Sequence, residues 1–280
     1  MKRFLIKISG LFCLINSHCF AIEVPIYDFN LSPFSQVIED YISPKADNYT
    51  KPLVNAAYQQ AQLRRFYRHY YASDEQGLSP WSEAYVMTIL PTIYQQESQL
   101  LAQFNNKDKA FSEKHYGENF KERDEHWWYN IQTNVDLENM SMLFQPDHMA
   151  ITVANTFARA LPEMAPDFYH ASIPGQGFPF DNLQDSALWV GTPLYVLHTS
   201  KDKAWSLVLT PDGYSSWVKS TDIAYVSSDF IQQWQAQAQK KWAAVTATNV
   251  AVYDSTHHFL FSGYIGAVFP MVGQDKERIT

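Results

Sequence analysis

Apolar residues recur at helical spacing in the first half of the chain and at strand spacing in the second, with the change near residue 150. Val54, Ala57, Tyr58, Ala61, Phe66 and Tyr70 follow the three-to-four step of one helix face. Asn48-Tyr-Thr-Lys-Pro52 precedes them and reads as the helix start, with Thr50 as cap and Pro52 in the first turn, where a missing N–H is tolerated. Gly77-Leu-Ser-Pro-Trp-Ser82 ends that helix and opens a second. Its apolar face is Tyr85, Ile89, Ile93, Leu100, Leu101 and Phe104, and Pro91 predicts a kink. A short helix is expected over Phe34 to Tyr41. Residues 105–130 are charged and aromatic by turns, which suggests a surface excursion that tucks Trp127, Trp128 and Tyr129 back onto the core.

Ile151-Thr-Val-Ala-Asn155 opens the β region. Short strands bounded by turn residues follow at Ser186 to Ser200, Ala204 to Leu209, Ser216 to Lys219 and Asp222 to Val226. Ser200-Lys-Asp202 and Pro211-Asp-Gly213 are turn signals between them. This is the pattern of a small five- or six-stranded barrel, with Trp205 and Trp217 as core residues. A loop rich in Gly, Pro and Phe, Gly175-Gln-Gly-Phe-Pro-Phe-Asp181, leads into it. Ser228 then caps a helix with Phe230, Trp234, Ala238 and Trp242 on one face. Asn249 to Tyr253 and Phe259 to Phe269 begin a second β unit. The fold class is α+β. A mainly helical domain over 22–148 precedes a barrel over 149–227, a linking helix over 228–245 and the start of a second barrel over 246–280.

Residues 1–21 read as a signal peptide. Lys2, Arg3 and Lys7 form its positive end, Phe4 to Ile15 is mostly apolar, and Cys19-Phe-Ala21 ends in a small residue suited to cleavage. The apolar run falls short of the roughly 20 residues that span a bilayer, so no stable membrane insertion is expected after cleavage. His18 does not suit a lipid-attachment site at Cys19. The expected location is periplasmic or secreted. Cys13 and Cys19 are the only cysteines, so cleavage after Ala21 would leave none for disulfides, thiolate metal sites or a cysteine nucleophile. Losing Lys2, Arg3 and Lys7 takes the basic residues from 21 to 18 against 29 acidic ones, a net charge of −11. Such a surface repels polyanions and excludes nucleic acid as a partner.

The inventory of chemistry is short. No Gly-x-Ser-x-Gly elbow is present, and His257-His258 and Asp124-Glu-His126 lack the spacing that sets ligands on one side of a metal. No metal or cofactor is expected. Gly175-Gln-Gly177 runs into Phe-Pro-Phe without a helix start to receive an anion, so it reads as a turn.

Several stretches together resemble the N-terminal region of NlpC/p60-type cell-wall peptidases: Pro80-Trp-Ser82, Arg159-Ala-Leu-Pro162, Gly175 to Gln184, Gly191-Thr-Pro-Leu194, His198, Ser200, Asp202, Trp205, Trp217, Asp222-Ile-Ala224 and Gly263 to Pro270. The resemblance implies a helical stabilising domain followed by SH3-like barrels. In that family a cysteine peptidase domain follows, with its nucleophile in an Asp-Cys-Ser-Gly context that this sequence does not contain. It further implies that the first barrel walls a peptidase cleft and limits which stem peptides enter. Asp181, Gln184 and His198 are candidates for that wall, and equally for hydrogen bonds that fix a loop. Phe178, Phe180 and Trp189 are candidate ligand-binding aromatics beside the same loop. The expectation is thus a non-catalytic, exported protein whose partners are peptidoglycan stem peptides or a peptidase domain. The alternatives are a truncated form of a complete γ-D-glutamyl-diamino acid endopeptidase and a secreted protein-interaction scaffold.

Overall fold

Two capped helices begin the fold. A computed structural model describes residues 35, 37–74 and 77–273; the expected signal peptide and the first residues of the expected helical domain lie outside the described residues. Helix α1 (Ala56–Tyr70) starts later than Thr50 and Pro52 predict, because the Asn55 side chain accepts from the Tyr58 N–H at 2.8 Å and closes the first turn there. Residues 46–51 form turns instead, with Tyr49 N bonded to Ala46 O and Lys51 N to Asn48 O. The helix expected over Phe34 to Tyr41 is a single 3-10 turn, Ile38–Asp40, among the described residues. Helix α2 (Glu83–Gln103) is capped by Ser82 and carries Pro91 within it. Its buried stripe is Val86, Leu90, Ile93, Glu97 and Leu101, so a carboxylate occupies a core position.

Residues 105–130 contain more than a surface excursion. Asp124 caps helix α3 (Glu125–Val135), and Trp127, Ile131 and Val135 at four-residue steps turn one face to the core. The Trp128 indole donates to Leu101 O at 3.1 Å, while Tyr129 stays exposed.

The first β region has seven strands: β1 (Met149–Thr152), β2 (Thr156–Arg159), β3 (Gln184–Leu188), β4 (Pro193–Thr199), β5 (Trp205–Leu209), β6 (Ser215–Lys219) and β7 (Ile223–Tyr225). They pair in the order β3-β2-β6-β5-β4-β1-β7, and all these pairings are antiparallel. Only residues 153–155 separate β1 from β2, a reach of at most roughly 14 Å from Thr152 to Thr156. Four strand spacings lie between the same two strands through the sheet, about 19 Å if it were flat. The sheet is therefore rolled. The edge strands β3 and β7 do not pair with each other, so the roll is not the closed barrel that the strand pattern predicts.

Both faces of this roll are buried. Ala150, Leu194, Val196, Val208, Val218 and Ile223 fill its inside. Tyr195, Leu197, Leu207, Leu209 and Trp217 point outward into one core shared with α2 and α3. This explains why β5 is buried at every position rather than alternating. Each fully buried aliphatic side chain contributes about 1.5–3 kcal/mol.

Helix α4 (Ser228–Ala238) follows, capped by Ser227 rather than Ser228. It ends before Trp242, which starts strand β8 (Trp242–Ala244) and packs on Phe66 of α1 with ring centroids 5.0 Å apart. Strands β9 (Val250–Tyr253) and β10 (Phe259–Gly263) form a hairpin with a bulge, and β11 (Val268–Pro270) pairs with β8. Among the described residues the second β region is thus two two-stranded sheets. Among the described residues no helix is long and apolar enough to cross a membrane.

Candidate ligand site between the two β modules

The loop before β3 is organised by Arg159, which is only 3% exposed. Its guanidinium donates to Asp181 Oδ2 at 2.6 Å, Gln184 Oε1 at 3.1 Å, Glu163 O at 3.0 Å and Met164 O at 3.4 Å. Asp181 Oδ1 accepts from the Asp167 and Leu183 N–H groups at 2.9 and 3.0 Å. Asp167, itself buried, lies 2.6 Å from His115 Nδ1. Asp181 and Gln184 are therefore engaged within the loop, on the side that fixes its shape. His198 Nε2 donates to Val135 O at 3.0 Å, tying β4 to the end of α3. Burial lowers its pKa, and the hydrogen bond to Val135 opposes that shift. Phe178 and Phe180 are exposed, Phe178 resting edge-on against Phe168. They do not line the cleft described next.

Trp189 does. Its backbone carbonyl accepts from the hydroxyls of Thr152 at 2.6 Å and Thr192 at 2.7 Å, which pins the turn between β3 and β4. Its ring meets Tyr264 of the second module at a centroid distance of 5.1 Å. Two further contacts close this seam. Asn155 donates to Ser262 O at 2.8 Å and accepts from Val190 N at 3.1 Å. Gly191, at φ +86°, lets Phe269 approach so closely that an added Cβ would stand 2.6 Å from its ring.

Below the seam lies a cleft of about 440 Å³. Phe157, Trp189, Trp205 and Tyr264 are its aromatic lining, with Ala187 and Met164 beside them. Trp205 and Lys219 are cross-strand partners. Arg159 pairs with Trp217, so Phe157 and Lys219 lie two residues on from that pair on the same face. They mark where the outer face of the roll leaves its helical cover. Asp222 also lines the cleft; it accepts from the Thr156 hydroxyl at 2.7 Å and the Thr221 hydroxyl at 3.2 Å. The Lys219 ammonium makes no hydrogen bond or ion pair with any described residue. A wider groove of about 630 Å³ lies between β3 and α1, lined by Arg65, His69 and again Trp189. Sequence reasoning singled out Trp189 and missed Phe157, Lys219 and Tyr264, whose only advance signal was an aromatic or cation at a strand end.

Among the described residues no group of three or more His, Cys, Asp or Glu side chains is placed to hold a metal ion. Glu97 is a buried carboxyl in the stripe that α2 turns to the core. It accepts from the Ser215 hydroxyl at 2.8 Å, and burial raises its pKa to about 7 against the opposing effect of that hydrogen bond.

Comparison with known proteins matches the two β regions separately. Residues 166–219 match the model of an SH3 domain of SH3b1 type, and residues 227–276 match that of an SH3 domain of SH3b2 type. No curated protein matches the chain. Among solved structures, an NlpC/P60 endopeptidase from Photobacterium damselae subsp. piscicida aligns over 88% of this chain with a TM-score of 0.65 and 24% identity. The alignment takes in 52% of that protein, so this chain spans about half its length. The helices and both SH3-like modules therefore share the fold of part of an NlpC/P60 endopeptidase.

Proposed function

We propose that this chain is an exported, non-catalytic cell-wall module that recognises or positions peptidoglycan stem peptides for an NlpC-type peptidase. The observation that carries this reading is the shared fold over the helices and both SH3-like modules together, rather than over one small barrel. A barrel alone is a poor warrant for function, because such folds host many. The seam cleft supports the reading, since it is concave, aromatic-walled and of small-ligand size. The non-catalytic part rests on the two cysteines both lying before the expected cleavage point.

The test is to incubate the purified chain, without residues 1–21, with muropeptides, following binding by calorimetry and products by mass spectrometry. Binding with no change in mass is expected. Peptide cleavage by this chain alone would overturn the non-catalytic assignment, and absence of any muropeptide binding would overturn recognition.

A further inference from the structure

The seam cleft is better furnished than the packing of two modules requires. Phe157 is 55% exposed although its strand neighbours Thr156 and Ala158 are buried. An exposed aromatic in mid-strand adds little to the core, but it supplies a flat apolar face to the cleft that Trp189 and Tyr264 also line. Lys219 stands at the same end of the sheet with an unpartnered ammonium, in a chain whose formal net charge is −8. A cation at the rim of a concave, largely apolar cleft attracts an anion more strongly than it would on a flat surface. Asp222, three residues on, presents a carboxylate already oriented by two threonine hydroxyls. Asn155, which lines the cleft, accepts from Val190 in the first module and donates to Ser262 in the second, a tie already in place before a ligand arrives.

Resting on the stem-peptide reading, we propose that this cleft is the peptide site and that its occupant is a short peptide with both a free carboxylate and a free amine. The carboxylate meets Lys219, the amine meets Asp222, and the chain between them lies against Phe157, Trp189 and Tyr264. The volume admits a few residues and excludes a helix or a folded partner. A neutral sugar would also stack on the rings, but it would leave both charges unanswered, and so the peptide is favoured.

The probe is a synthetic stem tetrapeptide with a free diamino-acid amine and a free C-terminal carboxylate, titrated against the whole chain and followed by tryptophan fluorescence. Amide-capping the carboxylate is expected to weaken binding at least about tenfold, the scale of one hydrogen bond to a charged group. Lys219→Gln is expected to remove that difference and Phe157→Ala to weaken both peptides. Both side chains are exposed, so the variants remain folded. Equal binding of capped and free peptides, or binding unchanged in Lys219→Gln, would overturn the cleft assignment while leaving peptide recognition standing. Saturation by a neutral amino-sugar disaccharide that displaces the peptide would overturn the choice of ligand. No binding of either peptide would overturn this site and the stem-peptide reading together.

Discussion

Asp181 shows how one side chain can be fully occupied and still look available in a sequence. It sits in a loop of Gly, Pro and Phe, where a carboxylate is as suited to a ligand amine as to a backbone amide. In the structure one oxygen faces the buried Arg159 guanidinium and the other takes two loop N–H groups. Asp181→Ala should cost about 3 kcal/mol, because it strands a buried cation. Urea unfolding measures this, and an unchanged midpoint would show the carboxylate to have no part in stability. Trp217 has no exposed surface and closes the outer face of the roll. Trp217→Ala should cost roughly 3–5 kcal/mol, and a thermal midpoint equal to wild type would contradict its place in the core. Trp205 and Trp217 were legible as core because they fall on strand patterns. Phe157 was not, since nothing in Thr156-Phe-Ala158 tells which face of the strand meets solvent.

At the scale of elements, α2 against β6 carries the clearest pH dependence. Glu97 is 4% exposed and lies in the stripe between Ile93 and Leu101. Its pKa rises from 4.5 to about 7 on burial. Between those values the folded chain keeps a proton that the unfolded chain has lost, so stability is full below pH 4.5 and declines as pH rises through 7. At about 1.4 kcal/mol per unit the loss is roughly 3 kcal/mol. Glu97→Gln should flatten this part of the stability profile and unfold at a higher temperature than wild type at pH 8; an unaltered profile would place the titration elsewhere. Helix α3 was the element hidden from sequence reasoning. Its signal was present in Asp124 as cap and in Trp127, Ile131 and Val135 at four-residue steps, but the adjacent Trp127-Trp-Tyr129 masked that spacing. The start of α1 was misplaced for a related reason, since Thr50 and Pro52 satisfy the helix-start rule while Asn55 makes the bond.

At the scale of the molecule, the two modules meet through few but specific contacts. Gly191→Ala would set a methyl group against the Phe269 ring at a positive φ, costing on the order of 1 kcal/mol or more. The second module should then be released sooner by limited proteolysis at residues 239–249, with Trp189 fluorescence shifting as Tyr264 leaves. Cleavage at the wild-type rate would show that the seam tolerates the strain. The seam cleft itself was illegible in the sequence, because its residues come from positions near 157, 189, 219 and 264, and only the rolled sheet and the second module bring them together.

The sheet with two buried faces also bears on how such a module is inherited. The segment that matches an SH3 domain of SH3b1 type, residues 166–219, omits β1, β2 and β7 and includes none of the helices that cover Leu207, Leu209 and Trp217. Moved by recombination into another gene, it would arrive with an unfinished roll and a bare apolar flank. A segment that keeps both faces of the sheet covered must therefore include the helices, and it is larger than the segment that matches by sequence.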